Sequence, residues 1–141
     1  MDTIVRLLKE KNHFLEKFFS LNERELKKYV EGNFDDLEYF YETRDKLLNI
    51  ISFIDAKVDK ANSALGASPT ISAEQRHSLR TELAIKDRYA DLIVKSDMEI
   101  LSTIEAAKSR IIQELQEIKK GKKAISGYKS PSQHRRLNEE A

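Results

Sequence analysis

Apolar side chains recur along this chain at helical spacing in three runs, and polar breakers separate the runs. Ile4, Leu7, Leu8, Leu15, Phe18, Leu21, Leu26 and Tyr29 share one face of a helix with 3.6 residues per turn. Asp2 or Thr3 supplies an oxygen that can cap its first turn. Gly32-Asn33 ends it, because both residues tolerate the left-handed conformation of a helix stop. A second run, Leu37, Phe40, Tyr41, Leu47, Leu48, Ile51, Ile54, Val58, Ala61 and Leu65, opens after Asp35-Asp36. Negative charge there suits the positive end of a helix dipole. The connection is short, so the first two helices are expected to be antiparallel neighbours. Gly66-Ala67-Ser68-Pro69-Thr70 is the clearest break. Ser72-Ala73-Glu74-Gln75 follows, with Ser and Gln at the spacing of a capping box.

The third run is the longest. Leu79, Leu83, Ala90, Ile93, Ile100, Ile104, Ala107, Ile111, Leu115 and Ile118 continue with no Gly or Pro before Gly121. Lys86 and Asp97 fall in the same seam, where a polar side chain weakens packing or fixes register. These patterns predict helices over about residues 2–31, 34–65 and 73–123. The expected fold is all-α: an antiparallel three-helix bundle or coiled coil over residues 1–125, with an over-long C-terminal helix and a flexible basic tail over 126–141. At 1.5 Å per residue the last helix is roughly 72 Å long against about 45 Å for each of the others. Stacked up-down-up, it passes the Gly32-Asn33 turn near residues 102–104. Ile104, Ala107, Ile111, Ile112, Leu115, Ile118 and Ile125 are then left without cover. An apolar stripe of that extent calls for a partner, a second copy or a fold-back onto the bundle.

Charge adds a polarity to this picture. The chain of 141 residues carries a formal net charge of +1, yet residues 1–118 hold 18 basic and 22 acidic side chains. Lys119, Lys120, Lys122, Lys123, Lys129, Arg135 and Arg136 make the end of the chain basic. The net balance indicates neither nucleic acid nor membrane as a partner. Gly at 4, Pro at 2 and charged residues at 35% suit long surface-charged helices. With no cysteine, disulfides and thiolate chemistry are excluded, which fits a reducing compartment. The acidic start Met1-Asp2-Thr3-Ile4-Val5 has no signal core, and no apolar run approaches the ~20 residues that span a bilayer. A cytoplasmic location is expected.

Catalytic equipment is not legible. Glu10 with His13, and Glu74 with His77, have the Glu-x-x-His spacing of ferritin-like ligands. His13, however, falls on the polar side of its helix, and His77 falls in a first turn at the bundle edge. Asp87 and Asp91 sit among Lys86, Arg88 and Lys95, as on a solvated charged face. His134 has only Arg135 and Arg136 beside it. There is no phosphate loop, no Ser-His-Asp arrangement and no HExxH. Neither metal, cofactor nor enzymatic activity is expected. Most aromatics sit on apolar faces, whereas Phe19 and Tyr39 fall off them. Tyr128 is the only aromatic beyond residue 89, in a basic setting suited to a docking anchor.

Three segments together resemble flagellar type III export chaperones of the FlgN/FliT kind. Val30-Glu31-Gly32-Asn33-Phe34-Asp35-Asp36-Leu37 is similar to the "G-D-x-x-x-L" stretch that opens the family's second helix. Arg44-Asp45-Lys46-Leu47-Leu48 is similar to the recurrent "x-x-R-x-x-L-L". Lys119-Lys120-Gly121-Lys122-Lys123-Ala124-Ile125-Ser126-Gly127-Tyr128 looks like the family's basic C-terminus closing on a Tyr. A departure is the tail from Lys129 to Ala141, which is longer than the family's pattern.

The resemblance implies a cytoplasmic chaperone that holds a late export substrate, a hook–filament junction or filament-cap protein, by an amphipathic terminal segment. It implies delivery to the export gate or export ATPase, with Tyr128, Lys122 and Lys123 as the docking residues. Ile104, Ala107, Ile111, Leu115 and Ile118 are the expected substrate-binding residues. The competing expectation is a structural coiled coil in which the same stripe pairs with its own copy in a homodimer.

Overall fold

A computed structural model describes residues 1–67 and 69–126, with only the backbone of 123–126 described. The described chain is all-α, with three helices and no strand among its residues: α1 Asp2–Val30, α2 Leu37–Ala64 and α3 Ala73–Ser126. The chain falls into two compact units, residues 1–101 and 102–141, and α3 contributes to both.

The helix boundaries follow from local chemistry. At the end of α1, Gly32 adopts φ +87°. Its N–H donates to the Tyr29 carbonyl at 3.0 Å, and the Asn33 N–H donates to the Lys28 carbonyl at 2.9 Å. This pair of bonds is the Schellman stop. α2 starts at Leu37, three residues after the expected Phe34. The Asn33 side chain accepts a bond from the Asp35 N–H, holding 33–35 in a turn. The Asp36 carboxylate is drawn back to Lys28 Nζ at 2.7 Å instead of capping its own helix. The Ser72–Gln75 capping box forms as expected, with reciprocal bonds of 3.1 Å in both directions. Neither Asp2 nor Thr3 caps α1, whose N-cap is Met1. The Asp2 carboxylate accepts from Gln75 Nε2 at 2.8 Å instead, tying the two helix starts together. Gly121 does not end α3, which continues to Ser126. Of the expected tail, residues 126–141, Ser126 is part of α3, and residues 127–141 lie outside the described residues.

In the first unit, α1 carries most of the core: Ile4, Leu7, Leu8, Leu15, Phe18, Leu21 and Tyr29 are buried. α2 contributes a narrower seam of Phe40, Leu47 and Ile54, spaced by seven. Leu48, expected in that seam, is exposed. The Lys11–Asp55 ion pair, 2.6 Å, ties the two helices near their midpoints.

α3 enters this unit through polar layers rather than a continuous apolar face. Asn12 Nδ2 donates to the Glu82 carbonyl at 2.9 Å and to its carboxylate at 2.8 Å. One turn-set further along, Asn22 Nδ2 donates to Ser96 Oγ at 3.1 Å. Asp97 receives two bonds from the Arg44 guanidinium of α2, at 3.1 and 2.7 Å. Hence Asp97 sits in the seam because Arg44 answers its charge, and a paired guanidinium fork fixes register as well as charge. The expected core residue Leu83 is exposed and its neighbour Glu82 is buried, because Asn12 selects the Glu82 side of the helix. Lys86 is half-buried and bonds its neighbour Asp87 at 3.1 Å.

A carboxylate pair lies at the α1–α2 turn. Glu25 is 1% exposed and meets Arg24 at 3.2 Å and Lys28 at 3.5 Å through one oxygen. When the group is ionised, its other oxygen has no donor to accept from, and only a protonated Glu25 can donate to Asp36. Burial, then the neighbouring Asp36 carboxyl, push the Glu25 pKa above its ordinary value. Bonding with Glu25 and with Lys28 holds Asp36 below its own. Tyr29 stacks on Phe34 with ring centroids 5.0 Å apart, closing the turn over this cluster.

Candidate protein-binding surface

On a helix, residues three, four and seven apart lie on one face. In the second unit, Ile104, Ala107, Ile111, Leu115 and Ile118 stand in that relation along α3. The structure divides them. Ile104 and Ala107 are buried, at 3% and 6% exposure, whereas Ile111, Leu115 and Ile118 are 55–57% exposed. Ile112, at 55%, lies beside them. The uncovered part of the stripe therefore begins at Ile111, about two turns later than the pattern indicates, and Ile104 and Ala107 are not available to a partner. Every residue from 108 to 122 is exposed.

Four half-exposed large side chains set the scale of what this stripe can do. Covering them is worth on the order of 5 kcal/mol gross, given ~1.5–3 kcal/mol for complete burial of each. Association itself costs an estimated 4–15 kcal/mol. The stripe alone therefore supports only weak binding, and a stable complex must draw on further contacts. The polar side chains between Ile111 and Ile118 are Gln113, Glu114, Gln116 and Glu117, an uncharged and acidic flank. The cations Lys119, Lys120 and Lys122 follow directly.

The remaining expected docking residues are only partly described. Lys122 is exposed. Lys123 belongs to the described helix, but its side chain, like that of Ile125 and the whole of Tyr128, lies outside the described residues. His13 and His77 are both exposed, and no three His, Asp or Glu side chains converge among the described residues. No described helix is long and apolar enough to cross a membrane.

A second apolar stripe on α3 escapes the periodicity reading. Val94, Met98 and Leu101, in the first unit, are 60%, 66% and 38% exposed. They also follow helical spacing, but they lie about a third of a turn away from half-buried Ile93 and buried Ile100, at ~100° per residue. The more regular apolar face of the same helix masks this second one in the sequence. Their exposure is set by which side of α3 meets Asn12, Asn22 and Arg44. Phe19, which falls off the α1 stripe, is half-buried against Tyr89 with centroids 6.4 Å apart, while Tyr39 is exposed.

Comparison with known proteins adds no relative: no protein-family model, no curated protein and no solved structure matches the chain.

Proposed function

We propose that this protein is a helical binding module that holds an amphipathic segment of another protein against α3, with no catalytic step. The observation that carries this reading is the break in burial along one helix face, from Ala107 at 6% exposure to Ile111 at 57%. An apolar face that continues at helical spacing beyond its cover is what helix-in-groove recognition uses, with anchors at i, i+4 and i+7. Joined to the FlgN/FliT resemblance, the reading becomes a cytoplasmic flagellar export chaperone. Its cargo is the amphipathic terminal segment of a hook–filament junction or filament-cap protein, kept from early assembly and passed to the export gate or ATPase. The basic end of the chain, with Lys122, Lys123 and Tyr128, is the proposed delivery contact.

The test is a calorimetric titration of the full chain with terminal segments of junction and cap proteins from the same source. A one-to-one complex with at least one of them, weakened about tenfold or more by Ile111→Glu, is expected from the loss of one large buried anchor. Absence of binding to all of them contradicts the export reading.

A second reading rests on the four- and three-residue spacing of the exposed Ile111, Leu115 and Ile118, which suits a coiled coil between two copies of the chain. It requires a dimer in the absence of any other protein, and Ile111→Glu would dissolve it.

A further inference from the structure

The face of the α1–α2 pair that α3 does not enter is open along its length. Two cavities lie on it, one of about 570 Å³ and one of about 460 Å³, and both are lined by α1 and α2 residues alone. The first lies between residues 13–24 of α1 and 43–50 of α2, the second between residues 3–10 and 57–64. Because the helices are antiparallel, these are successive parts of one groove. From Thr3 to Arg24 it runs roughly 30 Å, the length of a helix of about twenty residues.

Its floor is apolar. Phe14, Leu21, Leu47 and Ile50 line the first cavity, and Leu7 and Ala61 the second. Phe53, 62% exposed, lies on the same face of α2 at helical spacing from Ile50 and Lys57.

Its rim is basic. Arg6, Lys17, Arg24, Lys46, Lys57 and Lys60 line the groove, against only Glu10 and Glu16. This excess of four cations stands in a chain whose first 118 residues are acidic on balance. Of the six, only Arg24 has a described carboxylate partner, Glu25. Lys17 and Lys57 lie over aromatic rings, 5.5 Å from the Phe14 centroid and 4.6 Å from that of Phe53. Unpaired cations flanking a concave apolar floor fit neither a duplex, which offers no apolar ridge, nor a flat lipid surface.

We propose that the α1–α2 groove is a docking site for an acidic amphipathic helix of a partner protein. The helix lays its apolar ridge on the accessible Phe14, Ile50 and Phe53, over Leu21 and Leu47 already buried between α1 and α2, and directs flanking carboxylates to Lys17, Lys46, Lys57 and Lys60. The groove shares no residue with the stripe of α3, so it serves a second binding event, and its test does not depend on the export reading.

The probe is a synthetic helix of about twenty residues, with leucines at i, i+3, i+4 and i+7 and glutamates on both flanks. Its control is the same peptide with every glutamate replaced by lysine. Both are titrated into the isotope-labelled full chain, followed by fluorescence anisotropy and by backbone amide shifts. The acidic peptide should bind about tenfold or more tightly than the basic one, because rim charges attract one and repel the other. Added salt should weaken it. The shifted amides should be those of Leu21, Leu47 and Ile50, with residues 111–118 unmoved. Lys17→Glu with Lys46→Glu, both solvent-facing changes, should weaken binding about tenfold with an unchanged melting temperature, and Ile111→Glu should leave it as it was. Equal binding of the two peptides, no binding of the acidic one, or shifts confined to residues 111–118 would overturn the proposal. So would adsorption to phosphatidylserine vesicles that the same lysine changes abolish, which would make the rim a lipid site.

Discussion

Glu25 and Asp36 carry opposite consequences for stability, although both are acids at one turn. Glu25 titrates above its ordinary value in the fold. Its contribution is therefore favourable at low pH and is lost as pH rises through the folded-state value, so near neutrality the buried charge costs stability. Asp36 titrates below its ordinary value, so its contribution is present above the unfolded value and is lost as pH falls. Glu25→Gln should stabilise the fold at pH 7 by on the order of 1 kcal/mol and so raise the melting temperature, since the amide can donate to Asp36 where a carboxylate repels it. The gain should fade as pH drops toward 4.5, the ordinary value for Glu, where the native carboxyl is already protonated. Asp36→Asn should do the reverse, lowering the melting temperature at pH 7 and mattering little in acid. Thermal melts of the three proteins between pH 3 and 8 check both signs.

Glycines at this scale also separate into two kinds. No atom lies within 4 Å of a Cβ built at Gly32 or Gly121, so sterics with neighbours decide neither. Gly32 holds a positive φ, and Gly32→Ala should cost about 1 kcal/mol. Gly121 lies within a helix, and Gly121→Ala should favour the helix by roughly 0.5–1 kcal/mol. Far-ultraviolet dichroism should show more helix in the second variant, and denaturant melts should show lower stability in the first.

Between elements, the decisive contacts are polar and distant in sequence. Arg44→Ala leaves Asp97 half-buried without its guanidinium, and should destabilise by about 1–3 kcal/mol. Removing both partners should cost clearly less than the sum of the single changes, because the second removes a stranded charge. Urea melts of Arg44→Ala, Asp97→Ala and the pair measure that difference; additivity would mean that the ion pair contributes nothing.

These same contacts explain what the sequence could and could not reveal. The Ser72–Gln75 box and the Gly32 stop are written within four residues, so they are readable directly. The three helices follow from periodicity. The burial of Glu82 in place of Leu83, and the place of Asp97 in the seam, depend on Asn12, Asn22 and Arg44, which lie more than fifty residues away. Nothing local marks those pairings. The groove on α1 and α2 was equally hidden, since its cations read as ordinary surface charge until two helices bring them to one face. The stripe of α3 was legible in its residues but not in its extent: Ile104 and Ala107 carry the same pattern as Ile111, and only packing tells them apart.

At the scale of the whole molecule, function is proposed to reside in surfaces rather than in a reactive centre. Pairing the stripe at residues 111–118 between two copies would cover both, on the order of 10 kcal/mol gross, which only matches the estimated 4–15 kcal/mol cost of association and so does not by itself hold a firm dimer. The purified chain should accordingly scatter light as a monomer of 16.3 kDa at micromolar concentration. A stable dimer that Ile111→Glu converts to monomer would favour self-pairing instead.

The most direct test of the partner-binding account is hydrogen exchange of the full chain, alone and with the terminal segment of a hook–filament junction or cap protein. An uncovered helix face should open and exchange quickly when free. The account predicts that residues 108–122 exchange fast in the free protein and become protected on binding, with Ile111→Glu cancelling the protection. Slow exchange there in the free monomer, or protection that appears elsewhere while this stretch is unchanged, would contradict it.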